Sequence, residues 1–198
     1  MKNVERGHGT KVSAIILSWQ RPREVGIIVE ELHKYSFIDE IVVAVNKPDD
    51  NKKCYKRWLA AMRAKNNIVY VQDDDCIIEN IQEIYDSYDG TRMAIGTKGT
   101  HLTKCMQEGI GLVGWGTILN KRWIDLKPYL DRHGEDEILI RDADRIVTYA
   151  IGVKRPHNYV ISTVTDFESA SGDMAMYRQP EHWEIKNKAL ERAKELYA

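Results

Sequence analysis

Three consecutive carboxylates, Asp73, Asp74 and Asp75, follow an apolar run at residues 67–71. Like charges this close together raise one another's pKa, so the arrangement is unfavourable unless a positive charge lies nearby. Mg²⁺ and Mn²⁺ take oxygen ligands and are commonly held by one or two carboxylates together with substrate phosphates. The triplet therefore predicts either a divalent cation that holds a diphosphate or a solvated acidic turn that caps the next helix.

The elements that must position this triplet are three β-α units in the first 90 residues. The apolar runs at 12–18, 40–46 and 67–71 predict strands, and apolar residues at helical spacing predict helices at 22–36, 54–65 and 78–88. Parallel strands need crossover helices, so this alternation predicts half of a doubly wound α/β sheet.

The second half of the chain has a different pattern. Six of the thirteen glycines lie between residues 96 and 116, which predicts loops over 97–116. The other expected elements are strands at 93–96 and 117–120, helices at 122–129 and 138–149, a β segment at 159–164, a polar loop to residue 178 and a helix at 180–196. With no linker or repeat, residues 1–198 are predicted to form a single domain, with a nucleotide-type half at about 11–96 and a substrate-facing half at about 97–198.

Ligands of open α/β sheets bind beyond the carboxyl ends of the strands. Ser18 and Arg21 lie there after the first strand, and Asn46 follows the second. No glycine follows the first strand, which excludes a phosphate-binding P-loop and a dinucleotide-binding turn.

The residues at these strand ends resemble those of the GT-A fold nucleotide-sugar glycosyltransferases, in particular the family 2 type and the exostosin-like enzymes. Ser18 to Pro22 follow the first strand, Asn46 ends the second, and Asp73 to Asp75 lie where these enzymes carry a D-x-D motif. The resemblance extends as a pattern over residues 12–150. It implies a Rossmann-like α/β fold with a mostly parallel central sheet flanked by helices.

The resemblance also implies roles for individual residues on the donor side. Asp75 would coordinate Mn²⁺ or Mg²⁺, and a late histidine, His182 or its competitor His157, would complete the metal site. Residues implied to bind the donor are Ser18, Arg21, Asn46, Asp73, Asp74 and Arg178. The alternatives are a solvated cation at a helix start for Arg21, a turn former for Asn46 and a surface histidine for His182.

On the acceptor side, Gly114, Trp115 and Gly116 resemble the glycine-rich segment that lies across the donor sugar and acceptor in this fold. A core tryptophan at a strand bend is the alternative. The resemblance places a catalytic carboxylate before a helix, and we favour Asp144 over Asp136, although either residue also suits an exposed helix face.

The implied reaction transfers a hexosyl or pentosyl group from a nucleoside diphosphate sugar, with a UDP-sugar favoured, to a hydroxyl of a glycan, a protein or a DNA base. The basic stretch at 52–65 includes Lys52, Lys56, Arg57 and Lys65 and either tracks a phosphate backbone, as a phage-type enzyme acting on hydroxymethylated DNA would require, or forms a solvated helix face. A metal-dependent nucleotidyltransferase and a non-catalytic nucleotide-binding module remain as alternatives.

Composition limits the classes of partner. The chain has 198 residues, 29 basic and 30 acidic side chains and a net charge of −1, so no global field attracts nucleic acid or anionic lipid. No apolar run reaches the length of a membrane span, and the polar N-terminus predicts no secretory leader. Three cysteines without a C-x-x-C pair favour a reducing compartment, which predicts a cytoplasmic location.

Overall fold

The computed structural model describes residues 10–171 and 178–198. Their strands are β1 (Val12–Ser18), β2 (Ile38–Val45), β3 (Ile68–Asp73), β4 (Cys76–Ile78), β5 (Ala94–Thr97), β6 (Thr117–Asn120), β7 (Asn158–Ile161) and β8 (Val164–Asp166). Their α-helices are α1 (Pro22–Leu32), α2 (Tyr55–Arg63), α3 (Ile81–Asp86), α4 (Gly99–Glu108), α5 (Lys127–His133), α6 (Glu137–Lys154) and α7 (His182–Tyr197).

Six strands form the central sheet in the order β2-β1-β3-β6-β5-β7. Strand β1 pairs in parallel with β2 and β3, and β5 pairs in parallel with β7, whereas β6 runs antiparallel to both β3 and β5. Strands β4 and β8 form a small antiparallel ribbon. The prediction of a single α/β domain with a mostly parallel central sheet is confirmed.

Side chains of the central strands alternate between two hydrophobic cores. Ile15 and Leu17 of β1 lie in the core shared with α2, α6 and α7, whereas Ala14 and Ile16 lie in the core shared with α1 and α3. A strand covered on both faces needs apolar residues at every position, which explains its unbroken apolar run. The sheet thus positions the ends of β1 and β3 side by side.

The structure differs from the predictions mainly in the second half of the chain. Residues 99–108 form α4 instead of a loop, and the glycine that follows them, Gly109, ends this helix in the left-handed region at φ +66°. Residues 121–123 form a 3-10 turn and α5 begins only at Lys127, where Pro128 occupies the first helical turn. The expected β segment at 159–164 is divided between β7 and β8.

Two smaller differences concern the acidic triplet and the late loop. Strand β4 follows the triplet directly, so α3 begins at Ile81 and not at residue 78. The expected polar loop before α7 contains a 3-10 turn at Glu168–Ser171, and its residues 172–177 lie outside the described residues. Within residues 10–171 and 178–198, no helix has the length and apolar character needed to cross a membrane.

Candidate functional site

Asp74 joins the loop after β1 to the end of β3. Its Oδ2 accepts a hydrogen bond from the Trp19 backbone N–H at 2.6 Å, and its Oδ1 accepts one from Arg21 Nη1 at 2.6 Å. Arg21 Nη2 also donates to the Ser169 carbonyl at 3.2 Å. Burial raises the pKa of Asp74, while the Trp19 N–H and Arg21 oppose that rise. Because both carboxylate oxygens of Asp74 have partners, this residue organises the loop that lines the sheet edge.

Ser18 and Asn46 lie together at the carboxyl ends of β1 and β2. The Asn46 N–H donates to the Ser18 carbonyl at 2.9 Å. The Asn46 side chain accepts from the Lys52 N–H at 3.0 Å and donates to the Lys53 carbonyl at 3.2 Å. Asn46 thus holds the loop that leads to α2, as the turn-former alternative expects, while the donor-binding roles of Ser18 and Asn46 stay predictions.

Arg57 lies between the carboxylates of Asp73 and Asp144. Its side chain is 1% exposed, with Nη2 2.5 Å from Asp73 Oδ1 and Nε 3.4 Å from Asp144 Oδ1. Burial opposes its charge, but Asp144 and Asp73 outweigh that effect and raise the pKa of Arg57. The sequence placed Arg57 in a basic stretch that was predicted to be solvated or to face a phosphate backbone, whereas the structure buries it between two acids.

Asp144 lies in α6 and is buried, in contrast to an exposed helix-face carboxylate. Trp58 Nε1 donates to its Oδ1 at 2.8 Å. Burial raises the pKa of Asp144, and Arg57 opposes that rise. A buried carboxylate with a raised pKa, joined through Arg57 to the sheet edge, is suited to accept a proton from a hydroxyl.

The pKa of Asp75 is strongly shifted from its ordinary value. Burial, followed by the charge of Asp73, raises the pKa of Asp75 to about 6. In the described part of the chain, no three His, Cys, Asp or Glu side chains converge on a complete metal site. Mg²⁺ and Mn²⁺ usually need only one or two carboxylates because substrate phosphates and waters supply the remaining ligands. Asp75 and Asp73 therefore fit a cation whose coordination is completed by a diphosphate.

The two candidate histidines differ in their surroundings. His182 begins α7 and is buried, and its ring lies edge-on to that of Trp183 at 5.1 Å. His157 Nε2 lies 3.2 Å from the Gly109 carbonyl and 3.0 Å from that of Thr148. The His157 ring therefore connects the end of α4 to the backbone of α6. The metal-ligand role of His182 stays a prediction.

The glycine-rich segment lies directly against the acidic triplet. A Cβ on Gly114 would be 2.1 Å from Asp73 Oδ2, and Gly116 adopts φ +89° against Tyr70. Only glycine permits both the close approach and the left-handed backbone. Trp115, between them, is half-buried and stacks on His101, with ring centroids 5.2 Å apart.

Asp136 and Glu135 are engaged in contacts at the start of α6. Asp136 accepts from the Leu139 N–H at 3.0 Å and from the Tyr129 hydroxyl at 3.1 Å, and it pairs with Arg192. Glu135 forms an ion pair with Lys52. Asp136 thus joins α5, α6 and α7, and its catalytic role stays a prediction. Arg178 is exposed before α7.

Two residues of this site, Arg57 and Trp58, are not among those to which the sequence assigns a donor, acceptor or metal role; it places Arg57 only in the basic stretch. A signal for them exists in the helical spacing of α2, because Cys54, Trp58 and Ala61 recur at intervals of three to four residues on its buried face. Arg57 falls on the same stripe. A charged residue on an apolar helix stripe indicates a buried ion pair.

No family model matches the chain, and no curated protein matches it. Among solved structures, it is similar to the mannosyltransferase PcManGT from Pyrobaculum calidifontis in complex with GDP-Man and Mn²⁺, at TM-score 0.61 and 10% identity, over 93% of this chain and 65% of that one. It is also similar to glucosyl-3-phosphoglycerate synthase from Mycobacterium tuberculosis with Mn²⁺, UDP and glucosyl-3-phosphoglycerate, at TM-score 0.56 and 9% identity, over 94% and 81%. The chain has the GT-A fold of these glycosyltransferases.

Proposed function

We propose that this chain is a metal-dependent glycosyltransferase that moves a sugar from a nucleoside diphosphate sugar to an acceptor hydroxyl. One observation carries the proposal: the buried Arg57 joins Asp73, at the donor edge of the sheet, to Asp144 on the acceptor side. The GT-A fold supports it, because ligands bind at this edge of an open α/β sheet.

On the donor side, Asp75 and Asp73 would hold Mn²⁺ or Mg²⁺ and through it the diphosphate. When bound, the cation neutralises charge that grows on the departing diphosphate. Ser18, Arg21 and Asn46 would line the nucleotide pocket, with Asp74 fixing its loop. UDP is the nucleotide we favour, and Arg178 and His182 are the candidates from the late loop to complete the phosphate and metal contacts.

On the acceptor side, the hydroxyl oxygen would form a bond to the anomeric carbon. The bond from that carbon to the diphosphate oxygen breaks, and its electron pair leaves with the diphosphate. Asp144 would accept the hydroxyl proton, with Asp136 as the second candidate. Gly114 and Gly116 let backbone approach the hexosyl or pentosyl group closely, and Trp115 offers a face for a sugar ring.

A hydroxymethylated DNA base is a weaker candidate acceptor than a glycan or a small molecule. Three of the four lysines of the 52–65 stretch pair with acids: Lys52 with Glu135, Lys56 with Asp50 and Lys65 with Asp39. An array committed to carboxylates offers little to a phosphate backbone. The three cysteines are buried thiols, in keeping with a cytoplasmic location.

A thermal-shift panel tests the proposed function. The protein is heated with Mn²⁺ and each of UDP, GDP and TDP, and with the corresponding sugar nucleotides, with and without EDTA. A specific donor raises the melting temperature by mass action, and chelation removes the rise. The matched control is Asp131→Asn, an exposed carboxylate on α5, which is expected to respond like the wild type. The absence of a shift with every nucleotide would overturn the proposal.

A further inference from the structure

A cluster of basic and aromatic side chains lies between α4 and the first turns of α7. We call it the basic aromatic cluster, and its members are Lys98, His101, Lys104, Trp115, Trp183 and Lys186. None of them contributes to the donor edge described above except Trp115, which connects the two regions.

Two tryptophan rings organise the lysines of this cluster. Lys98 Nζ lies 5.1 Å from the centre of the Trp115 ring, and the His101 ring stacks on the same indole. Lys104 Nζ and Lys186 Nζ lie 5.4 Å and 5.5 Å from the centre of the Trp183 ring. The cations are thus held by aromatic faces and converge from two helices.

The three lysines of this cluster differ in their acidic partners. Lys98 pairs with Asp166 at 2.8 Å, and Lys104 lies 3.9 Å from Glu108. Within residues 10–171 and 178–198, no carboxylate forms an ion pair with Lys186. Burial, followed by the charges of Lys186, Lys98 and Lys104, lowers the pKa of His101. Among the lysines of the cluster, Lys186 is therefore the one that the described residues leave for an anionic ligand to pair with.

The cluster borders the acceptor side of the proposed reaction centre. Trp115 directly follows Gly114, whose Cα faces the Asp73 carboxylate. Burial raises the pKa of both Asp142 and Asp144 in α6, and Lys186 is among the charges that oppose this rise. Lys186 is thus close enough to act on the carboxylate to which we assign the acceptor proton.

We propose that the basic aromatic cluster is an acceptor subsite for an oxyanion, so that the acceptor carries a phosphate or carboxylate group near its reactive hydroxyl. Lys186 supplies the main charge, with Lys104 and Lys98 beside it, and Trp115 packs on the carbon skeleton. A neutral acceptor would leave Lys186 without an ion-pair partner among the described residues. The inference rests on the proposed function, because it extends the same site.

The experiment measures binding of probe molecules by calorimetric titration of the full chain loaded with Mg²⁺ and UDP. The probes are glucose 6-phosphate, glucuronate and neutral glucose, so that one pair tests phosphate and the other tests carboxylate. We expect at least one anionic probe to bind about tenfold or more tightly than glucose, and its affinity to fall as salt rises. Lys186→Gln should weaken that probe about tenfold, and Lys104→Gln should weaken it severalfold.

The control variant is Lys188→Gln, a lysine on the same helix that pairs with Glu184 and should leave anion binding unchanged. Equal binding of glucose and both anions, no binding of any probe, or an unchanged affinity in the folded Lys186 variant would overturn the subsite. Nucleotide binding in the same samples separates the two proposals: if none of UDP, GDP and TDP binds, the proposed function falls, whereas nucleotide binding without anion preference overturns the subsite alone. The subsite would also be overturned if a short DNA duplex bound more tightly than glucose 6-phosphate and glucuronate, and if that binding depended on Lys186.

Discussion

Arg57 Nη2 lies 2.5 Å from Asp73 Oδ1, at the point where the parallel strands present their carboxyl ends. The same guanidinium faces Asp144 on α6, so one buried cation fixes the positions of two acids that are 71 residues apart in the sequence. This relationship gives the site a rigid frame before any ligand binds.

Replacing Arg57 by Leu should lower both stability and donor binding. The change leaves Asp73 and Asp144 without their cation, and breaking a buried ion pair by removing one partner lowers the free energy of unfolding by roughly 3 kcal/mol. Arg57→Lys keeps the charge but cannot span two carboxylates, so it should lie between the wild type and the Leu variant. Urea unfolding and UDP titration measure the two effects. Equal stability of all three proteins would contradict the bridging role.

Asp74 and Asp75 should respond in opposite ways to amide substitution. Asp74→Asn weakens the bonds to Trp19 and Arg21 and should lower the melting temperature. Asp75→Asn removes a buried charge beside Asp73, so the protein without metal should be at least as stable as the wild type. The Asp75 variant should nevertheless lose the stabilisation by Mn²⁺ with UDP. A full Mn²⁺-dependent shift in that variant would remove Asp75 from the metal site.

Gly114→Ala tests the close approach to the acidic triplet. The added Cβ would lie 2.1 Å from Asp73 Oδ2, so the carboxylate must move and UDP affinity should fall about tenfold or more. Gly26→Ala is the matched control, because nothing lies within 4 Å of its Cβ position on α1 and alanine favours a helix. It should bind UDP normally. If both variants bind UDP alike, Gly114 does not constrain the donor edge.

The buried carboxyl group of Asp142 should make the stability of the protein depend on pH. Burial raises its pKa to about 7, above that of an unfolded Asp, so the folded protein holds this proton more tightly. Its stability therefore falls as the pH rises from about 4 to 7. Asp142→Asn removes this dependence, and its advantage over the wild type should grow by roughly 2.5 kcal/mol between pH 5 and pH 8. Urea unfolding at both pH values provides the measurement, and a constant difference between the two proteins would show that Asp142 does not titrate in this range.

The first half of the fold follows from local sequence. Strand β1 is apolar at nearly every position because both of its faces are covered, and the parallel β-α alternation places Ser18 and Asp73 at one edge. Helix α4 was wrongly predicted as loop because its region is rich in glycine, although Gly99 and Gly109 only bound the helix. The glycine content of a segment does not distinguish glycines that bound a helix from glycines within a loop.

The long-range contacts that build the site could not be predicted from the composition of the chain. The sequence predicts that Arg57 faces either a phosphate backbone or solvent, because charged side chains are seldom fully buried, and only its contacts with Asp73 and Asp144 explain the exception. Lys186 lies 87 residues after the first residue of α4, so its approach to Lys104 at the Trp183 ring depends on how α7 packs beside α6. Long-range pairing of this kind leaves no local pattern.

A crystal structure of the protein with Mn²⁺ and the nucleoside diphosphate that gives the largest thermal shift tests the proposed metal-dependent donor site most directly. We expect an anomalous Mn²⁺ signal within coordination distance of the Asp75 carboxylate. We also expect the diphosphate at the carboxyl ends of β1 and β3, facing Gly114. A nucleotide bound elsewhere, or bound at this edge without a cation at the acidic triplet, would overturn the proposed donor site.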